Sequence, residues 1–195
     1  LDKTVIAQAF NEYFFNIGPT LANNISDSNV DYISFLKGNY KDSFTLFETD
    51  ILEVTSVTKN LKSKTSSGYD NLPTDIIKLS INCTAPHLVK IINKSFAEGN
   101  VPNFLKIAKV CPIFKNGEAT KLSNYRPISV LPSFSKVFEK LVYNRLMKYL
   151  TKSSVLYDHQ YGFRSNLSPP LAILAMVEKI TDAIDNNKLS IGIFI

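Results

Sequence analysis

Residues 124–150 read NYRPISVLPSFSKVFEKLVYNRLMKYL, and this stretch decides the fold. Pro127 disfavours the helical region for Arg126, and Pro132 does the same for Leu131, so the first eight residues are predicted to be extended or turned. From Phe134 onward Val137, Phe138, Leu141, Val142, Leu146, Tyr149 and Leu150 recur at steps of three and four, which predicts a helix with one apolar face. Lys136, Lys140, Asn144, Lys148 and Lys152 fall on the other face, spaced by four. One side of this helix is for a core; the other offers a row of cations to solvent or to something negative.

Upstream, the period is that of strands. Residues 107–114, IAKVCPIF, form a short β-branched and aromatic run, and Pro112 argues for an edge strand. Asn116-Gly117 is a strong signal for a two-residue turn. The return limb is residues 124–131, giving a basic hairpin that carries Lys115, Lys121 and Arg126. Further upstream, helices are expected over residues 4–17, with Val5, Ala9, Phe10, Tyr13, Phe14 and Ile17 on one side and Gly18-Pro19 as the stop. Another is expected over 49–61, with Ile51, Val54, Val57 and Leu61 inward. A third begins near Pro73 and a fourth runs from Pro86 to Gly99, with Leu88, Ile91, Ile92 and Phe96 inward. Residues 19–47 are polar and weakly periodic, as a linker would be. Residues 62–68 form a polar loop. Downstream come a loop at 157–164, a helix over 168–185 that tolerates Pro169-Pro170 only in its first turn, and an apolar strand over 188–195. A strand at that place, and a chain that does not open on Met, are expected of a piece of something longer.

The chain has 195 residues, 45% of them apolar, with 13 Phe and 9 Tyr, enough to bury a sizeable core. No apolar run approaches the roughly 20 residues that span a bilayer, so no membrane partner is expected. Cys83 and Cys111 have no companions at metal-ligand spacing and are expected to be free thiols in a reducing compartment. Charge is unevenly spread. Residues 1–60 hold 4 Lys/Arg against 8 Asp/Glu, whereas residues 101–165 hold 11 against 3. Such asymmetry points to a polyanion partner for the second region, with a solvated basic face as the plain alternative.

Four segments, LKSKTSSGYDNLP, VPNFLKIAKVCPIFKNGE, NYRPISVLPSFSKVFEKLVYNRL and QYGFR, stand in this order. In order and spacing they resemble the reverse transcriptase of non-LTR, LINE-type retrotransposons, and most of all its Jockey-like branch. The resemblance covers residues 49–195. AFNEYFFNIG resembles the segment that precedes the polymerase in these proteins, so 1–48 is expected to be an N-terminal extension or linker. The resemblance implies an α+β fold: a helix-rich fingers subdomain of a right-hand polymerase, with a β-hairpin and the first palm strand, truncated. It implies RNA-directed DNA polymerase chemistry on an RNA template and a DNA primer with deoxynucleoside triphosphates, in concert with the remainder of the polymerase chain. It also implies an intracellular setting, cytoplasm and nucleus.

By the same resemblance, Lys115 and Arg126 contact the triphosphate of the incoming nucleotide. Gly68, Gln160, Gly162, Phe163 and Arg164 lie along the template. For Lys115 a solvated turn lysine is the alternative, and for Phe163 ordinary core packing. Asp70 is expected to bracket its turn. The Mg²⁺ ions of such an enzyme are held by palm aspartates, the first directly after an apolar strand. Residues 189–195 contain no Asp or Glu, so no catalytic carboxylate is expected in this chain and the piece is expected to be inactive alone. Residues 165–170, SNLSPP, depart from the family, which has a basic or small residue and then His-Ser-Thr. That departure leaves open a decayed or non-enzymatic RNA-binding domain derived from such an element.

Overall fold

The computed structural model describes residues 2–26, 30–35 and 43–193. Among the described residues are six α-helices and one antiparallel two-stranded ribbon, an α+β composition: α1 Lys3–Ala22, α2 Ile51–Lys59, α3 Thr74–Glu98, α4 Asn103–Lys106, β1 Lys109–Phe114, β2 Tyr125–Val130, α5 Ser133–Lys152 and α6 Pro169–Asp185. The chain forms two compact units, residues 1–147 and residues 148–195.

The core of the first unit is built where the apolar faces of α2, α3 and α5 meet. Val54, Ile81, Ala85, Ile92, Phe96, Val137, Phe138 and Leu141 form one buried cluster, and the Phe96 and Phe138 rings meet edge-on at 5.5 Å. The periodicity located these faces, with shifts. Ile51, Ile91 and Leu146 point outward, while Thr58 and Arg145 take buried places. Thr58 can do so because its hydroxyl donates to the Val54 carbonyl at 2.8 Å.

Arg145 is the larger surprise, since a helix face read by hydropathy assigns no place to a buried cation. All five of its N–H donors are satisfied. Nε donates to the Phe47 carbonyl at 2.9 Å, Nη1 to Glu53 Oε1 at 3.0 Å and the Leu141 carbonyl at 3.1 Å, and Nη2 to the Glu48 carbonyl at 3.0 Å and Glu53 Oε2 at 2.8 Å. The guanidinium plane also lies 4.2 Å from the Phe47 ring centre and 5.3 Å from that of Phe96. The end of the stretch expected to be loose linker, residues 19–47, and the residues up to Asp50 are therefore pinned. Phe47 and Glu48 supply carbonyls to Arg145, Thr49 exchanges hydrogen bonds with the Asn93 amide, and the Asp50 side chain caps α2.

Proline does not punctuate as expected. α1 runs through Gly18-Pro19, and α3 is a single helix of 25 residues with Pro86 inside it. Pro19 sits in the last turn, where one intrahelical bond is forfeited while its own carbonyl still receives the Asn23 N–H at 3.0 Å. Pro86 lies on the exposed face of α3, between Ile81 and Ala85 on one side and Ile92 and Phe96 on the other. Burial on both sides of the break outweighs the roughly 3 kcal/mol that an interior proline costs. Gly99, in the left-handed region at φ 66°, ends α3 as expected.

In the second unit Ser168 caps α6, and both prolines fall in the first turn. Residues 188–193, expected to be strand, form none, and Leu189, Ile191 and Ile193 are exposed. A strand is defined by its partner, and none is present among the described residues; Phe194 and Ile195 lie outside them.

Two outcomes are expected. The Arg145 hydrogen bonds, helped by Thr49 and opposed by partial burial, hold the Glu53 carboxyl below its ordinary value of 4.5. A carboxyl depressed by folding stabilises above its unfolded pKa, and that stability is lost as pH falls through the folded one. Denaturation midpoints should therefore drop below about pH 4.5 in the wild type and stay flatter in Glu53→Gln. At pH 7 that variant should be weaker by roughly 2–3 kcal/mol, a little under the usual cost of unpairing a buried cation because Glu53 is one-third exposed. Second, Pro112→Val with Pro127→Val should promote self-association, seen by concentration-dependent light scattering, because it restores outward N–H donors on both ribbon edges.

Candidate nucleotide- and template-facing surfaces

The ribbon is short but its register is well determined. Lys109 pairs with Val130, Cys111 with Ile128, Pro112 with Pro127, Ile113 with Arg126 and Phe114 with Tyr125. The Lys115 N–H donates to the Asn124 carbonyl at 2.8 Å, extending the ladder by one residue. Hydrogen-bonded and non-hydrogen-bonded pairs alternate in antiparallel strands, so the Pro112–Pro127 pair falls where neither residue is asked to donate inward. The connection is not the two-residue turn that Asn116-Gly117 suggests. It spans residues 115–124 and is closed on itself: Gly117 takes φ 87°, Asn124 Nδ2 donates to the Glu118 carbonyl at 2.9 Å, and the Tyr125 hydroxyl donates to the Ala119 carbonyl at 2.9 Å.

Side chains alternate across a ribbon. Val110, Pro112, Phe114 and Tyr125 share one face, and α1 lies beside it: Phe10 meets the Tyr125 ring edge-on at 4.8 Å, and a cleft between helix and strand is lined by Phe10, Phe14, Val110 and Pro112. The other face carries Cys111, Ile113, Lys115, Arg126 and Ile128. Lys115 and Arg126 are both exposed, diagonal neighbours on this face, and neither is engaged in an ion pair among the described residues. Lys121 is different, being paired with Glu118 at 2.8 Å. The fold thus brings Lys115 and Arg126 together and leaves both cations available.

Gly68 lies elsewhere in the first unit, and it is buried. A Cβ there would meet the Pro132 nitrogen at 2.6 Å and the Leu131 carbonyl carbon at 2.9 Å. The close approach that this glycine permits is to the chain's own backbone, where β2 leads into α5. Around it the polar loop is well tied. Asp70 brackets the turn as expected, accepting from the Leu72 N–H at 3.2 Å. The Tyr69 hydroxyl donates to the Phe104 carbonyl at 3.0 Å, and the Thr74 and Ser133 hydroxyls meet at 3.1 Å.

In the second unit, Gln160, Gly162, Phe163 and Arg164 occupy one loop. Arg164 Nη1 donates to the Tyr157 carbonyl at 2.9 Å, so this half-buried side chain ties the loop's two ends together. Phe163 is not core. Its exposure is 102% and its backbone is left-handed at φ 59°, a conformation that a bulky residue adopts only when its surroundings impose it. Tyr157, 70% exposed and edge-on to His159 at 5.3 Å, adds two rings to the same loop. These two were not singled out by the sequence; an aromatic-rich loop, YDHQYGF, was the signal available.

No three His, Cys, Asp or Glu side chains among the described residues are grouped to hold a metal ion. No helix is long and apolar enough to cross a membrane among the described residues.

Comparison with known proteins supplies the context. The chain is 28% identical over 162 residues to the RNA-directed DNA polymerase from mobile element jockey of Drosophila melanogaster, covering 83% of this chain and 18% of that protein. It is 32% identical over 144 residues to a probable RNA-directed DNA polymerase from transposon BS of the same fly, covering 73% and 16% respectively. Several of its relatives are RNA-directed DNA polymerases of jockey-like and other non-LTR retrotransposons. A third, from the X-element, is 26% identical over 144 residues. No family model matches the chain. The polymerase likeness extends over most of these residues, yet the chain spans less than a fifth of either of the first two relatives.

Two substitutions separate architecture from surface here. Gly68→Ala should destabilise by about 2 kcal/mol, because backbone must move to admit the methyl group. Phe163→Ala should change stability by no more than about 0.5 kcal/mol in the same denaturant titration.

Proposed function

We propose that this chain is the nucleotide- and template-contacting part of a retrotransposon RNA-directed DNA polymerase, its fingers subdomain, with residues 49–195 forming a partial polymerase domain and 1–48 an extension preceding it. The observation that carries the reading is the ribbon register, which sets Lys115 and Arg126 on one exposed face and turns the aromatic face towards α1.

The chemistry follows from that face. During nucleotidyl transfer negative charge builds on the departing pyrophosphate, and cations already in place stabilise it without reorganising at the moment of reaction. Arg126 offers a planar fork that matches phosphate oxygens in pairs; Lys115 offers a compact point charge beside it. Gln160, Gly162, Phe163 and Arg164 are assigned to the template. There the exposed Phe163 ring suits an unstacked base, while Arg164 holds the loop's shape and so acts on the template through it. Gly68 is assigned an indirect part, letting the loop at 62–72 sit against Leu131-Pro132. Magnesium ions, when bound to the whole polymerase, supply the clamp on attacking and leaving oxygens, and we assign their carboxylate ligands to residues other than these. The partners are an RNA template, a DNA primer, deoxynucleoside triphosphates and the remainder of the polymerase, in an intracellular setting.

Binding of single-stranded RNA by the 195-residue chain should be salt-sensitive. With about four phosphate contacts its affinity should fall about 50-fold between 50 and 200 mM salt. Binding of dGTP should weaken at least tenfold in Lys115→Ala with Arg126→Ala. Salt-insensitive RNA binding would leave the basic surface as a solvated one. RNA binding that persists with no measurable dGTP binding would favour a non-enzymatic RNA-binding domain. Primer extension by this chain alone, with Mg²⁺ and template, would overturn the placement of the catalytic carboxylates.

A further inference from the structure

We infer that α1 is a brace on the back of the β1–β2 ribbon, and that Phe10 is a positioning residue for Lys115 and Arg126; the functional half of this rests on the nucleotide reading above. α1 is capped by Asp2 and runs for 20 residues, yet none of them is buried. It contributes nothing to the core cluster. What it does is touch the ribbon near the end that carries the two cations. The Phe10 ring meets Tyr125 at 4.8 Å, and Tyr125 in turn meets Phe114 at 5.3 Å. Phe14 backs Phe10 at 5.7 Å, and Tyr13 backs Phe14 at 5.5 Å. Leu122, in the connection between the strands, lines a second hollow with Tyr13 and Ile17.

Tyr125 precedes Arg126, and Phe114 precedes Lys115. Both rings lie on the ribbon face opposite the cations, so each cation is one peptide unit from an aromatic that the helix holds, Tyr125 directly and Phe114 through Tyr125. A two-stranded ribbon is marginally stable by itself, and no third strand pairs with this one among the described residues. Towards the base of the ribbon, Ile6 and Phe14 of the helix and Ala108, Val110 and Pro112 of the chain opposite line a cleft of about 550 Å³. The helix therefore holds the ribbon at the end that carries the cations. Residues of the N-terminal extension thereby set where the nucleotide-facing cations stand.

Amide hydrogen exchange and dGTP titration of the 195-residue chain test this together. In Phe10→Ala, exchange should quicken across residues 109–130 but not across 74–98, and dGTP affinity should fall about fivefold, the effect of losing one aromatic pair. Phe10→Tyr, which keeps an aromatic edge, should restore both. Leu122→Ala should loosen the same residues from the second point of contact, and it decides the matter if Phe10→Ala proves to unfold the chain generally. Unchanged exchange across 109–130 in these variants overturns the brace. If dGTP binding falls in Arg126→Ala but holds in Phe10→Ala, the positioning role is overturned and the nucleotide reading stands. If Arg126→Ala has no effect on dGTP binding, the nucleotide reading fails, and exchange alone still decides whether α1 steadies the ribbon.

Discussion

The first unit depends on one buried cation. A guanidinium taken out of water is costly unless every donor finds an acceptor, and breaking such a pair on one side costs several kcal/mol. Arg145 meets that condition with acceptors from three places: its own helix at Leu141, the carboxylate of Glu53 on α2, and the carbonyls of Phe47 and Glu48 before α2. The requirement is geometric as well as energetic. A fork of five donors fits only one placement of α2 against α5, whereas an apolar contact between the same helices would tolerate sliding. α3 enters the same arrangement through Phe96, whose ring lies beside the guanidinium, and through Asn93, which holds Thr49.

That rigidity matters because of what hangs from it. Ser133 and Ser135, buried at the start of α5, bind Thr74 and the Leu105 carbonyl. They fix the point at which β2 ends and the helix begins. Gly68 packs against the same junction. The ribbon thus leaves a firm base and carries its cations outward, where packing is light and aromatic rather than buried. The result is a steady scaffold bearing a less constrained, charged extension.

The sequence showed its fold through hydrophobic period and turn chemistry, and its limits were those of one-dimensional reading. The apolar faces of α3 and α5, the ribbon and the Gly99 stop were all legible. Pro19 and Pro86 misled, because a proline's local cost is visible in the chain while the burial that offsets it is not. Asn116-Gly117 misled for the reverse reason: the dipeptide favours a tight turn, but bonds from Asn124 and Tyr125 close a longer one. The candidate site was legible by resemblance, residue by residue, and not by physics alone. A lysine in a turn and an arginine before a proline carry no mark of their purpose.

By itself, then, the sequence determined where most helices and the ribbon lie, the basic character of residues 101–165 and the likeness to retrotransposon polymerases. Local propensity, charge and motif order are written along the chain. The tertiary structure decided which polar groups go inside and which face of the ribbon looks outward. Arg145 is buried because Glu53, Phe47 and Glu48 converge on it from about a hundred residues away. Lys115 and Arg126 share an exposed face because the ribbon register puts them there, with α1 beside the other. Phe163 stands in solvent on a left-handed backbone, in a loop whose ends Arg164 ties together. Each of these is a contact between residues distant along the chain or set by backbone geometry, and neither hydropathy nor spacing can express it.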